Sequence, residues 1–93
     1  MTSLYVVAYD VADDARRLRL RKELEGFGVA VQRSVFECYL DDGKLQRLLR
    51  RVKRVVREGE DSVRVYKLCS SCAAQVVVLG VGHLSEPPSV YIV

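Results

Sequence analysis

The chain reads as an α+β domain in which helices cover one face of a mainly antiparallel sheet. Three features of its 93 residues predict this. An apolar strand opens the chain, two cation-rich segments carry apolar residues at helical spacing, and β-branched stretches separate those segments.

Strand 1 is predicted over Ser3–Tyr9, from the run Leu4-Tyr5-Val6-Val7-Ala8-Tyr9, and it ends at a lone carboxylate, Asp10. Strand interiors disfavour Asp, and burying an unpaired carboxylate costs several kcal/mol unless a partner or a metal compensates. Strand ends at a sheet edge are also where active-site residues are displayed. Asp10 therefore has two readings, a functional carboxylate or the cap of the helix that begins near Asp13.

Helix 1 is predicted from about Asp13 to Glu25, with Gly26 or Gly28 ending it. Leu20, Leu24 and Phe27 define its core side, Arg17 and Arg21 flank that side, and Asp13 and Asp14 suit the positive helix start. The segment Val29–Leu40 is extended, as one kinked strand or as two, because no Asn-Gly turn divides it. Helix 2 starts at Asp41 or Asp42 and stops at Gly59. Its apolar stripe is Leu45, Leu48, Leu49, Val52, Val55 and Val56. Ser62–Leu68 forms a further strand and Gln75–Leu79 a short apolar one. The order βαββαβ specifies a ferredoxin-like two-layer sandwich over residues 1–79. Residues 80–93 form a C-terminal tail that breaks at Glu86-Pro87-Pro88 and ends in the strand-like Ser89–Val93, suited to adding to another protein's sheet edge.

Composition narrows the function classes. No stretch approaches the ~20 apolar residues of a membrane span, and Met1-Thr2-Ser3 leads straight into a strand rather than a signal peptide, so a cytoplasmic setting is expected. A chain of this size buries only about 60–65% of its unfolded surface, yet 49% of its residues are apolar. That surplus predicts a homodimer. Cys38, Cys69 and Cys72 are an odd number, unlike a secreted disulfide scaffold. Cys69-Ser70-Ser71-Cys72 has the spacing of a half zinc site or a redox pair, but His83 is the only histidine, and a strand-end turn with semi-buried thiols is the reading preferred.

Net charge is only +3, but most of the 15 Lys and Arg residues fall in the two helices. Between Lys44 and Arg57 the second helix carries cations and no acid, and like charges at i,i+4 repel. A solvated face explains a mixture of signs better than it explains this run. A polyanion explains it directly, and nucleic acid fits better than a membrane because no bulky aromatic faces lipid from this helix. In helix 1, Arg16, Arg17, Arg19 and Arg21 directly follow the Asp10 strand end, and arginine's planar fork binds phosphate bidentately.

Taken together, these residues resemble the CRISPR-associated protein Cas2 family, the small subunit of the spacer-acquisition machinery. The resemblance spans roughly Leu4–Leu79. It rests on Tyr5-Val6-Val7-Ala8-Tyr9-Asp10-Val11, then Asp13-Asp14 and the arginines, then Val31-Gln32-Arg33-Ser34-Val35-Phe36-Glu37 and Asp61–Cys69. It implies a homodimer whose C-terminal strand, here Gln75–Leu79, is exchanged between subunits. It implies catalytic roles for Tyr9, Asp10, Arg17, Arg19 and Phe36, with Asp10 the ligand of Mg²⁺, and nucleic-acid contacts from Arg16, Arg17, Arg19 and Arg33. Ala30 departs from the basic residue that many relatives carry before the Val-Gln pair, and Arg33 is the candidate substitute.

The function implied is CRISPR adaptation, in which the dimer binds a DNA duplex or single-stranded RNA and bridges integrase subunits, with Mg²⁺-dependent phosphodiester cleavage as its chemistry. Two copies of Asp10 across a dimer axis would share one ion with waters and a substrate phosphate. A metal-free route needs an acid and a base, usually histidines, and His83 lies far along the chain in a loop. The alternative is an RNA-binding or small-molecule regulatory domain on the same scaffold, outside CRISPR systems. RNA recognition of that kind wants aromatic residues on a central strand, and Val63–Leu68 offers only Tyr66.

Overall fold

β1 (Ser3–Asp10) is the strand around which the rest assembles. In this computed structural model, which describes residues 1–82 and residue 84, it is followed by α1 (Asp14–Glu25), β2 (Val29–Gln32), β3 (Val35–Leu40), α2 (Asp42–Val55), β4 (Ser62–Leu68) and a one-turn helix α3 (Ser70–Ala73). The sheet runs β2-β3-β1-β4 with every neighbouring pair antiparallel, which is the ferredoxin-like α+β arrangement.

The side-chain period of the strands assigns the two faces. In β1, Tyr5, Val7 and Tyr9 are buried, while the intervening Val6 and Ala8 are half-buried on the opposite face. Phe36, Cys38 and Leu40 of β3 repeat the pattern, and Val63 and Val65 of β4 lean on the same core. The helices close that face with Leu20 and Leu24 from α1 and Leu48, Val52 and Val55 from α2. Leu45, Leu49 and Val56 pack at the rim, so the predicted α2 stripe is the packed one.

Both helices begin at an aspartate. The Asp13 carboxylate accepts the Arg16 backbone N–H at 2.9 Å, and the Asp41 carboxylate accepts that of Lys44 at 2.8 Å. That hydrogen bond holds Asp41 below the usual carboxylate range. α2 ends at Val55 rather than at Gly59. The chain turns extended at Val56, which keeps that side chain against the core, and the Asp61 carboxylate then takes the Arg57 N–H at 2.9 Å. Gly59 occupies the turn that follows, with φ +86°.

Residues 29–40 form two strands joined at Arg33-Ser34, with an irregularity in pairing between Ala30 and Gln32. The bond from Tyr9 N–H to the Ser34 carbonyl, 3.0 Å, ties this turn to the end of β1. At Gly28 the chain passes so close to β3 that a Cβ would lie 2.5 Å from the Cys38 Sγ.

Two further expectations are revised. Gln75–Leu79 is no strand within this chain: Val77 and Leu79 are 77% and 89% exposed, and β4 is an edge strand whose outer side pairs with nothing among the described residues. Cys69 and Cys72 are exposed rather than semi-buried, and the strand-end turn that joins them is helical. Cys38 is buried, and burial pushes its thiol up to about 11. His83 and Ser89–Val93 lie outside the described residues. Among the described residues no helix is long and apolar enough to cross a membrane.

Candidate nucleic-acid cleft

The C-terminal end of β1 opens onto a cleft of about 590 Å³, lined by Tyr9, Asp10, Val11, Asp14, Arg17, Leu18, Arg21, Arg33 and Ser34. Three segments build it, and each is fixed by something local. Val11 is buried at 2% exposure, which anchors the chain as it leaves the sheet and leaves Asp10 exposed at the rim. The Asp10 carboxylate makes no hydrogen bond or ion pair with any described residue. It is not the helix cap, because Asp13 takes that place.

Arg17 comes from the first turn of α1. Its Nη1 donates to the Val11 carbonyl at 2.9 Å, and its Nη2 pairs with Asp14, so the guanidinium is held beside the strand end. Arg21 lies one helical turn further on the same face. Its guanidinium carbon is 6.0 Å from the centroid of the Phe36 ring, within cation–π range, and it pairs with Glu25 at 3.5 Å. The Phe36 ring is itself 6.4 Å from that of Tyr9. Arg33 and Ser34, from the β2–β3 turn, close the third side.

The structure thus divides the residues expected at the site. Tyr9, Asp10, Arg17 and Arg33 come together in the cleft. Phe36 does not line the cleft: it is fully buried, and it lies beneath Arg21 and beside Tyr9. Arg19 is exposed on α1 but is not part of the cleft lining, because two residues on from Arg17 it points to another side of the helix. Arg16 faces the other way. Its Nε and Nη2 donate to the two Asp61 carboxylate oxygens at 3.0 and 3.1 Å, and its side chain is only 14% exposed. That pair, with the Arg57 and Ala12 N–H groups, holds the Asp61 carboxyl down at about 2. Asp14 and Ser34 are not singled out for this site by the sequence, whereas Arg21 belongs to the helix-1 arginine run read as phosphate-binding. The i,i+4 step from Arg17 was the signal that pointed to Arg21.

Asp10 supplies a hard, unpaired oxygen donor, which suits Mg²⁺, whereas Asp14 is occupied by Arg17. No group of three metal-ligating side chains occurs among the described residues. The donor type fits an ion that keeps most of its waters, with Asp10 the residue that would hold it. A second cationic surface lies on α2, where Arg47, Arg50 and Arg54 are exposed.

A small ferredoxin-like domain that displays one free carboxylate among arginines at a strand end has the form of a phosphodiester-handling protein. The CRISPR associated protein Cas2 family matches residues 2–76. The chain is 51% identical over 83 residues to the CRISPR-associated endonuclease Cas2 2 of Thermus thermophilus, covering 89% of this chain and 88% of that protein. It is 43% identical to the CRISPR-associated endoribonuclease Cas2 3 of Synechocystis sp., covering 97% and 98%. Among solved structures, Streptococcus pyogenes Cas2 superposes with a TM-score of 0.70 at 33% identity, over 83% of this chain and 99% of that one. A chain of a partial Cas6-RT-Cas1–Cas2 complex gives 0.66 at 26% identity, over 83% and 90%. The chain belongs to the Cas2 family.

Proposed function

We propose that the chain acts in CRISPR adaptation as a cytoplasmic homodimer that grips a nucleic-acid backbone and cleaves a phosphodiester with Mg²⁺. The observation that carries this reading is the unpaired, exposed Asp10 in one cleft with Arg17, Arg21 and Arg33. Folding alone leaves the exposed Asp10 carboxylate unexplained, and beside the three arginines it suits a phosphate with a reacting water next to it.

The arginines would bind non-bridging phosphate oxygens, Arg17 from a position fixed by the Val11 carbonyl and Arg21 from its seat on Phe36. As the attacking oxygen bonds to phosphorus, negative charge grows on those oxygens, and preorganised guanidinium groups stabilise it where it develops. Asp10 would orient the water for in-line attack. Bound Mg²⁺ would lower the pKa of that water and offset charge on the leaving oxygen. Pairing of the exposed Gln75–Leu79 segment with another copy's open β4 edge would bring two Asp10 residues into one dimer, and supports the exchanged-strand reading.

The relatives' names carry an endonuclease and an endoribonuclease activity, so both DNA duplex and single-stranded RNA are substrates to test. The cationic outer face of α2 beyond its first turn favours a second role, in which a duplex lies across the dimer while it bridges integrase subunits, as the association of Cas2 with Cas1 in a solved complex supports.

The test compares the wild type with a triple Arg17→Ala, Arg21→Ala, Arg33→Ala variant on labelled duplex and single-stranded RNA, with Mg²⁺ and with EDTA. The reading predicts that the triple variant loses cleavage and roughly two to three units of the slope of log affinity against log salt. Unchanged cleavage and slope would remove the cleft from the function. Sedimentation of the wild type decides the dimer.

A further inference from the structure

At the end of the sheet remote from Asp10 lies a pair of cysteines that the phosphodiester chemistry leaves unused. β1 and β4 are antiparallel, with Asp10 opposite Ser62 and Leu4 opposite Leu68, so Cys69 leaves the sheet at the far end. Cys69 and Cys72 bracket the first turn of α3, and both are free and exposed, whereas Cys38 is buried in the core. Side chains three residues apart on a helical turn share a face at about 5–6 Å between Cβ atoms, a separation that a small adjustment brings into disulfide range. The Ser71 Oγ lies 3.1 Å from the Cys69 sulfur, on the side of the turn that carries Cys72. Cys69 also borders a cavity of about 860 Å³ that includes Lys44, Lys67 and the N-terminal residues, which leaves room for an incoming molecule.

We propose that Cys69 and Cys72 are a thiol–disulfide exchange site that takes a low-mass or protein disulfide as its oxidant and closes to an intrachain Cys69–Cys72 bond. Cys69 is the attacking sulfur. Its thiolate bonds to one sulfur of the incoming disulfide, whose S–S bond breaks and releases a first thiolate. Cys72 then gives up its proton and bonds to the Cys69 Sγ, and the mixed S–S bond breaks to release a second. Two protein thiols lose two hydrogens and the disulfide becomes two thiols. The electrostatics agree with this division of labour. The Ser71 hydroxyl and the Cys72 groups bring the Cys69 thiol down to about 7, and the same sulfur pushes that of Cys72 up. Closure staples the turn from which the exposed segment Val76–Leu79 departs.

The experiment equilibrates the purified wild-type chain in buffers of graded reduced and oxidised glutathione, blocks remaining thiols with iodoacetamide, and reads intact and peptide masses. In oxidising buffers the site predicts the loss of two hydrogens within the peptide that contains Cys69 and Cys72, with Cys38 unmodified in the folded chain. Cys72→Ser is expected to trap one glutathionyl group on Cys69, and Cys69→Ser to react about tenfold more slowly at pH 7. The proposal is overturned if both thiols of the wild type stay alkylatable at every ratio or if disulfides form only between chains. It is also overturned if each cysteine ends in its own mixed disulfide, or if a zinc ion occupies the pair.

Discussion

Two aspartates sit at the same end of the sheet, one ending β1 and one just before the adjacent β4, and they have opposite fates. Asp61, just before β4, is fully buried at its side chain and is surrounded by donors: Arg16 through two nitrogens, the Arg57 N–H at 2.9 Å and the Ala12 N–H at 3.4 Å. Asp10, which ends β1 opposite Ser62, is exposed, and its carboxylate has no partner among the described residues. The first carboxylate is a structural joint that ties the start of α1 to the end of α2. The second is an anion that the fold holds out without using. Their arginines divide by exposure: Arg16 is 14% exposed and committed to Asp61, while Arg17 and Arg21, each 44% exposed and paired with an acid of α1, border the cleft with Arg33. Identical residue types therefore mean different things according to whether their hydrogen bonds are already taken.

The comparison can be broken at several points. The largest effect is expected under the cleft. Phe36→Ala should cost about 3–5 kcal/mol in urea unfolding, because a fully buried ring leaves a cavity. Phe36→Leu should fold, with a smaller loss, and still weaken oligonucleotide binding because Arg21 loses its ring; full affinity in that folded variant would separate Arg21 from Phe36.

Acid titration comes next. The Asp61 carboxyl is lowered from 3.8 to about 2, so the stability it contributes is present above its unfolded value and is lost as pH falls through about 2. Thermal midpoints measured from pH 6 to pH 2 should fall, and Arg16→Ala should flatten that fall. An unchanged acid profile in Arg16→Ala would deny the joint.

The smallest effect separates the two sets of arginines. Arg33→Ala should lower the slope of log affinity against log salt by about one unit, whereas Arg16→Ala should leave it unchanged. A loss of slope in both would mean that the division between committed and available arginines is wrong.

Much of this was legible in the residues. The period-2 alternation of Tyr5, Val7 and Tyr9 and the helical spacing of Leu48, Val52 and Val55 fix the core faces directly. The family pattern then brought Asp10, Arg17 and Arg33 to one place. What could not be read was the partner of each charge. Arg16 and Arg17 are neighbours in the chain, yet α1 turns one toward Asp61, 45 residues away, and the other toward Val11. That outcome depends on where β4 begins, a long-range fact with no local signal. The burial of Phe36 has a related origin: its strand position places it in the core, and its contact with the cleft passes through Arg21. The strand expected at Gln75–Leu79 does not form within one chain: the helical turn Ser70–Ala73 carries the segment away from the sheet, and the outer edge of β4 stays unpaired among the described residues.

The most direct measurement is a crossed one on Asp10→Asn and Asp61→Asn, each assayed for Mg²⁺-dependent cleavage and for its melting midpoint. The account predicts that Asp10→Asn melts like the wild type and loses about a hundredfold or more of its cleavage. It predicts that Asp61→Asn melts lower and cleaves at the wild-type rate per folded molecule. Cleavage that survives in Asp10→Asn, or a melting midpoint that falls as far as in Asp61→Asn, would contradict it.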